Sequence, residues 1–258
     1  MSYPSLTITY LGTGTSGGIP LIGCSCRVCT SANKKDKRLR SSILVRSEKT
    51  TLVVDTGPDF RYQMLRADVK QLDAILFTHS HKDHVAGLDD VRAYNYFSGK
   101  PMEVFATDMT QEVLVREFPY AFADIRYPGV PEIHLNTIDM EPFVVGDIPV
   151  VPVMVWHMKM QVMGFRFGDF TYVTDANRIE PLELEKIQGT KILTLNALRK
   201  EKHISHFTLE ESVQMAQKIG AEKTYFTHLS HQMGLNDEVN LELPSNMQLA
   251  YDGMVIKL

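Results

Sequence analysis

Six consecutive residues, His79-Ser80-His81-Lys82-Asp83-His84, place three imidazoles and a carboxylate within one short segment. Imidazole suits zinc, iron and related ions, while a carboxylate adds negative charge and accepts a harder ion. The segment follows an apolar run, Ala74 to Phe77, that has the length and composition of a strand. A short loop after that strand lets His79 and His81 point to one ion. Asp83 and His84, at the entry to the next helix, can then point to a second. A polar helix cap carrying surface histidines would also fill this position, but so dense a spacing of ligand-type residues has few structural uses.

Two ions need more ligands than this loop supplies. The chain has nine histidines, at 79, 81, 84, 134, 157, 203, 206, 228 and 231. His157, Asp175 and His228 each come directly after an apolar run, as Asp55 does. On spacing alone each is as readily a satisfied core or rim residue as a ligand; the 79–84 segment raises them, because it demands partners of this kind. His134 sits in ordinary strand context and is read as structural. Cys24, Cys26 and Cys29 form C-x-C-x-x-C, three thiolates in one knuckle, one short of a closed tetrahedral zinc shell. An odd, tightly clustered set of cysteines is no disulfide framework, which points to a reducing compartment. Glycines 12, 14, 17 and 18 lack the lysine of a phosphate-binding loop and are read as a tight turn. The stretch 196–209 gathers polar and basic residues between an expected strand and an expected helix, where a substrate phosphate can be held. His203 and His206 both lie in it; for His203 a surface or capping role is as well supported as a functional one.

The elements that must position these residues follow from periodicity. Strands are expected at 6–11, 43–47, 51–55, 74–77, 103–106, 143–155, 164–167, 171–174, 192–196, 224–227, 248–251 and 254–257. Helices are expected at 60–67, 85–96, 110–118, 181–187 and 208–219; Thr208, followed by Glu210 and Glu211, marks the start of the last. Ligand-type residues recur just past strand ends, so one edge of a sheet would gather them into a single cleft on a rigid base. Two packed sheets with helices outside fit this order.

Composition bounds the remaining classes. The 258 residues are 44% hydrophobic and 22% charged, with a net charge of -4, so no global basic field draws the chain to nucleic acid or to anionic membrane. The basic run 34–40 is local and reads as a solvated loop. Residues 1–11 lack the pattern of a signal peptide, and no apolar stretch is long enough to cross a bilayer. A cytoplasmic protein is expected, with no membrane partner.

The 79–84 segment resembles the signature of the metallo-β-lactamase superfamily, and Val54-Asp55-Thr56-Gly57 resembles the strand-end motif that precedes it. His157, Asp175 and His228 fall in the order of its later motifs. Within that superfamily, Leu-Gly-Thr-Gly-Thr-Ser-Gly-Gly-Ile-Pro at 11–20, the cysteine knuckle, Thr-His-Leu-Ser-His-Gln at 227–232 and Tyr-Asp-Gly-Met at 251–254 are together similar to the PhnP family, cyclic phosphoribosyl phosphate phosphodiesterases of the carbon–phosphorus lyase pathway. The resemblance implies an α/β fold, a four-layer αββα sandwich, formed by residues 1–258 as one domain with a zinc knuckle near residues 23–30. It implies two divalent catalytic ions (zinc, manganese or iron), with His79, His81 and His157 on one, Asp83, His84 and His228 on the other, and Asp175 bridging them. It makes His231 the fourth ligand of one structural zinc, with Cys24, Cys26 and Cys29, and places Asp55 behind the site. It associates His206 with catalysis, beside Asp175 and Asp83. The implied activity is hydrolysis of a small cyclic or nucleotide-like phosphodiester through a metal-bridging hydroxide. Alternatives are a transfer-RNA 3′-end endonuclease, an ester, lactone or thioester hydrolase, and a non-catalytic metal-binding protein. The acidic net charge and the lack of an extended basic arm argue against a nucleic-acid partner. Monomer and homodimer both stay open.

Overall fold

The computed structural model describes residues 4–125 and 127–258. The expectation of no leader falls partly on residues 1–3, outside the described residues. The first sheet contains β1 (Thr7–Gly12), β2 (Ser42–Arg46), β3 (Thr51–Val54), β4 (Ala74–Leu76), β5 (Met102–Ala106) and β6 (Ile133–Thr137). The second is built on β7 (Phe143–Val145), β8 (Ile148–His157), β9 (Met160–Phe167), β10 (Phe170–Val173), β11 (Arg178–Ile179), β12 (Ile192–Asn196), β13 (Lys223–Thr227) and β14 (Met247–Leu249). The last strand, β15 (Val255–Lys257), returns to the first sheet, whose order is β15-β1-β2-β3-β4-β5-β6. The second runs β11-β8-β9-β10-β12-β13-β14, with β7 also paired to β8.

Strand alternation divides the apolar side chains among layers. Ile43 and Val45 of β2, with Leu52 and Val54 of β3, face Phe165, Phe170 and Tyr172 between the sheets. Their neighbours Leu44 and Val53 face the other way, onto Phe60 and Met64 of α1 (Phe60–Arg66), Val85 of α2 (Lys82–Val85) and Leu114 of α4 (Asp108–Glu117). Tyr94 of α3 (Arg92–Ser98) and Ala121 of α5 (Pro119–Phe122) join that outer layer. On the far side Val173, Leu193 and Leu195 pack on Leu184 of α6 (Pro181–Ile187), Leu209 and Ala216 of α7 (Leu209–Ile219) and Val239 of α8 (Asn236–Glu242). Helix, sheet, sheet, helix is the αββα sandwich expected. A register slip of one residue would exchange the inner and outer sets, so the alternation fixes the pairing.

Some boundaries differ from the sequence expectation. The helix expected at 85–96 is broken into α2, a 3-10 turn at Leu88–Val91 and α3. Gly87 is the cause: a Cβ there would lie 2.2 Å from the Gly57 carbonyl oxygen, and its N–H bonds Thr56 O instead of a helical partner. The strand expected at 143–155 is a hairpin, β7 turning into β8 at Gly146, whose φ of 59° favours glycine. α8 was not expected at all. Its first N–H, on Asn236, is held by the Asp36 carboxylate, 200 residues earlier in the chain. Thr208 and Glu211 form a reciprocal cap at the start of α7. Among the described residues no helix is long and apolar enough to cross a membrane.

Strand direction positions the site. β3, β4 and β5 are parallel, as are β10, β12 and β13. β8 is antiparallel to β9 and β9 to β10, two reversals that restore the direction. Asp55, His79, His157, Asp175 and His228 therefore all leave their strands at C-terminal ends, the edge where open α/β sheets place their ligands.

Candidate metal centre

Asp55, Asp175 and His228 have φ of 65°, 56° and 57°. Non-glycine residues at positive φ are strained, and such strain persists only where surrounding structure enforces it. Here it turns each side chain off its strand end towards the cleft. Gly57 lets the two motifs meet: a Cβ at this position would lie 2.1 Å from the Asp83 carbonyl oxygen.

Three groups of ligand atoms converge: His79, His84 and Asp175; Asp83, His84 and His228; and His157, Asp175 and His206. The rings of His79, His81 and His157 form a triangle with centroid separations of 4.6, 5.2 and 6.0 Å. His84 Nε2 lies 3.4 Å from Asp83 Oδ2 and 3.3 Å from Asp175 Oδ2, and His228 Nδ1 lies 3.2 Å from that same Asp175 oxygen. The other Asp175 oxygen faces His206 Nδ1 at 3.8 Å. His134 sits instead on edge strand β6, paired with Glu103 at 2.8 Å.

Which nitrogen of each ring faces the cleft is set from behind. His157 Nδ1 donates to the Ser205 carbonyl at 2.8 Å, and His84 Nδ1 to the Asp55 carboxylate at 2.7 Å. Thr78 spends its hydroxyl proton on Asp55, so its oxygen accepts from His79 Nδ1 at 3.0 Å. The Thr15 hydroxyl lies 3.1 Å from His228 Nε2. The opposite nitrogens, His79 Nε2, His84 Nε2 and His228 Nδ1, are buried without a hydrogen-bond partner. Buried nitrogens are rarely left so; bare lone pairs in a convergent set suit a cation. Ligand atoms about 2.0–2.2 Å from one ion lie about 2.8–3.6 Å apart in octahedral or tetrahedral geometry, the range seen around His84. The residues fit divalent ions.

The charges agree. Burial pushes His79 well below its ordinary range, and His81 and His228 are lowered chiefly by burial too, so these rings stay neutral. His84 is the exception: burial lowers it, but Asp175, Asp55 and Asp83 together outweigh burial and raise it well above. Three carboxylates around one imidazole hold a positive charge there, a proton or a metal ion. Burial raises the Asp55 carboxyl, against the pull of His84 and Thr78.

Asp55 was expected behind the site; the hydroxyls of Thr15, Thr78 and Thr174 were not. Thr174 donates to Asp175 Oδ2 at 2.6 Å. The available signal was position, since Thr78 and Thr174 directly precede His79 and Asp175.

A second centre joins the early loop to the end of β13. Cys24, Cys26, Cys29 and His231 place their ligand atoms within 4.8 Å of one another. His231 Nδ1 lies 3.3 Å from Cys24 Sγ and 3.4 Å from Cys26 Sγ. A tetrahedral zinc with sulfur at about 2.3 Å and nitrogen at about 2.0 Å sets them about 3.5 Å apart. The Cys29 backbone N–H, with His231, lowers the Cys26 thiol to about 6. Burial raises Cys29 to about 11, where only a cation would draw off its proton.

His206 completes the cleft on the 197–208 loop. Its ring lies 4.5 Å from that of His157 and 4.9 Å from that of His228. Burial, with His228 alongside, lowers it to about 3, against the opposing pull of Asp175. His206 is thus neutral in the free site, and a proton on it needs a further anion nearby. His203 follows, 5.3 Å from His206 and nearer solvent; burial and the Arg199 charge lower it as well.

Comparison with known proteins matches this architecture. Residues 50–229 match the β-lactamase superfamily domain. A solved diphosphatase of the PhnP family is 39% identical, with a TM-score of 0.92 over 98% of both chains. Zinc-bound PqqB from Methylobacterium extorquens, 19% identical with a TM-score of 0.77, covers 98% of this chain and 100% of its own, and shares the fold. Octanoyltransferase from Porphyromonas gingivalis is 36% identical over 95% of this chain, which spans 50% of that protein. Coenzyme PQQ synthesis protein B of Methylobacterium radiotolerans is 30% identical over 40% of this chain and 37% of its own length; the chain spans half or less of these curated relatives. With its ligand-bearing strand ends on the αββα sandwich, the chain belongs to the metallo-β-lactamase superfamily and, within it, to the PhnP family.

Proposed function

We propose that this hydrolase carries two divalent ions and cleaves a small phosphoester, either a cyclic or nucleotide-like phosphodiester or an ester of diphosphate. The observation that carries the reading is Asp175: one oxygen faces His84 and His228, the other faces the His157 and His206 side. A carboxylate so placed would fix the spacing of two ions. His79, His81 and His157 would hold one, Asp83, His84 and His228 the other. When bound, such ions acidify water and neutralise charge on phosphoryl oxygens.

The chain's own residues do the rest. Asp55, directly and through Thr78, keeps His84 and His79 in the ligand tautomer. The water oxygen bonds to phosphorus and gives up a proton to solvent as the P–O bond to the leaving group breaks, and the leaving oxygen departs with the bonding pair. His206 is placed to give it a proton. A bound phosphate beside His206 would favour a proton on its ring. The PhnP-family relative described as a diphosphatase supports a phosphorus centre. The acidic net charge favours a small substrate over tRNA. Acyl hydrolysis is the second reading, suggested by the octanoyltransferase relative. Assay of manganese- and zinc-loaded protein on phosphodiesters, diphosphate esters and octanoyl esters tests both. Turnover confined to the phosphorus substrates is expected; turnover confined to octanoyl esters would overturn the reading.

A further inference from the structure

His206 is placed by its neighbours in the chain. Its Nδ1 is buried without a hydrogen-bond partner, 3.8 Å from the Asp175 carboxylate and so beyond hydrogen-bond reach. The backbone on either side therefore decides where the ring sits. After it, the Phe207 N–H donates to the Ala176 carbonyl at 2.8 Å. Before it, the Ser205 carbonyl accepts from His157, and the Ile204 carbonyl accepts from Asn177 Nδ2 at 2.9 Å. Among these tethers Asn177 supplies a side chain that belongs to no ligand set. The other end of its amide is engaged as well: Oδ1 accepts from the Met158 N–H at 3.1 Å. Met158 directly follows His157 in the turn between β8 and β9, and its φ of 57° is uncommon for a residue other than glycine. One amide thus ties the turn that follows His157 to the loop that carries His206. Asn177 is itself pinned, because its N–H donates to the Trp156 carbonyl at 2.8 Å and β11 begins at the next residue. Both ends of the amide lie on backbone, so Asn177 acts through the segments it joins.

We propose that Asn177 is a positioning residue for His206: its amide, stretched from the Met158 N–H to the Ile204 carbonyl, fixes where the ring of His206 stands relative to His157 and Asp175. The inference rests on the reading of His206 as the donor to the leaving oxygen. Misplacing a reacting group by about 1 Å can cost about 10²-fold, so losing one of three tethers should cost about tenfold, and only where the leaving oxygen needs a proton.

Kinetics of the metal-loaded protein test this on an alkyl and a nitrophenyl phosphodiester. Asn177→Ala should lower kcat about tenfold on the first and less than about twofold on the second, with metal content unchanged. Asn177→Asp keeps the shape and the acceptor for Met158 but turns an oxygen on the Ile204 carbonyl, and should do the same. In protein that already carries His206→Ala, removing the Asn177 amide should cost nothing further on the alkyl substrate. Equal losses on both substrates, an undiminished loss in the His206→Ala background, or wild-type behaviour of Asn177→Asp would overturn the proposal. Nitrogen-15 NMR of the histidine rings reads the placement without turnover. The His206 signals should move in both variants while those of His134, on edge strand β6, stay; unmoved His206 signals would also overturn it. Moved signals in a protein whose wild type hydrolyses no phosphoester would sink the proposed reaction and leave Asn177 its place. Phosphoester hydrolysis untouched by the Asn177 substitutions would do the reverse.

Discussion

Among single residues, Asp55 and His206 have the sharpest expected effects. Asp55 touches no substrate, yet it accepts from His84 and from the Thr78 hydroxyl that in turn orients His79. Asp55→Asn keeps the shape but offers an amide where a carboxylate accepted three hydrogen bonds, from His84 Nδ1 and from the Thr78 N–H and hydroxyl. It should cost about 10–100-fold in metal affinity, read by competition with a chelator, and unchanged affinity would remove Asp55 from the metal account. His206 differs in being needed only when the leaving oxygen needs a proton. A sugar alkoxide does, and a nitrophenolate does not. His206→Ala should therefore slow an alkyl or ribosyl phosphodiester far more than a nitrophenyl one, with metal content unchanged. General acid assistance is worth about 10²–10⁴-fold, so the gap is measurable. Equal losses would make His206 a phosphate-binding residue, and loss of an ion would make it a ligand.

Elements explain what the sequence made legible. Strand ends were readable because apolar runs stop abruptly at Asp55, His79, His157, Asp175 and His228, and the sheets bring those ends to one edge. What local pattern does not encode is contact across the chain. The break at Gly87 exists because Gly57 packs on it, and α8 starts where Asp36 caps it. The Ser205 carbonyl that holds His157 likewise joins loop and strand 48 residues apart. Two substitutions test element-level packing. Gly57→Ala would press a methyl group onto the Asp83 carbonyl, a backbone atom that cannot yield cheaply. It should cost about 1–3 kcal/mol in denaturant unfolding and weaken metal uptake; wild-type values for both would contradict the close approach. Cys26→Ser opens the knuckle that ties the early loop to the end of β13. It should lower Tm by at least about 5 °C while sparing the ligands of the catalytic centre.

For the molecule as a whole, the two centres answer to different demands. The Cys₃His cluster offers four protein ligands, which would leave no open position, so an ion there would serve stability; ions held by the histidine and aspartate cluster would keep a position for water or substrate. Chelation should remove activity before it removes the knuckle ion. The most direct test of the two-ion account is a metal titration of chelated protein that retains its knuckle zinc, following hydrolysis of a phosphodiester as manganese is added. Activity should rise until two equivalents are bound per chain, and Asp175→Ala should lose both the second equivalent and most of the turnover. Full activity at one equivalent, or turnover indifferent to added metal, would contradict it.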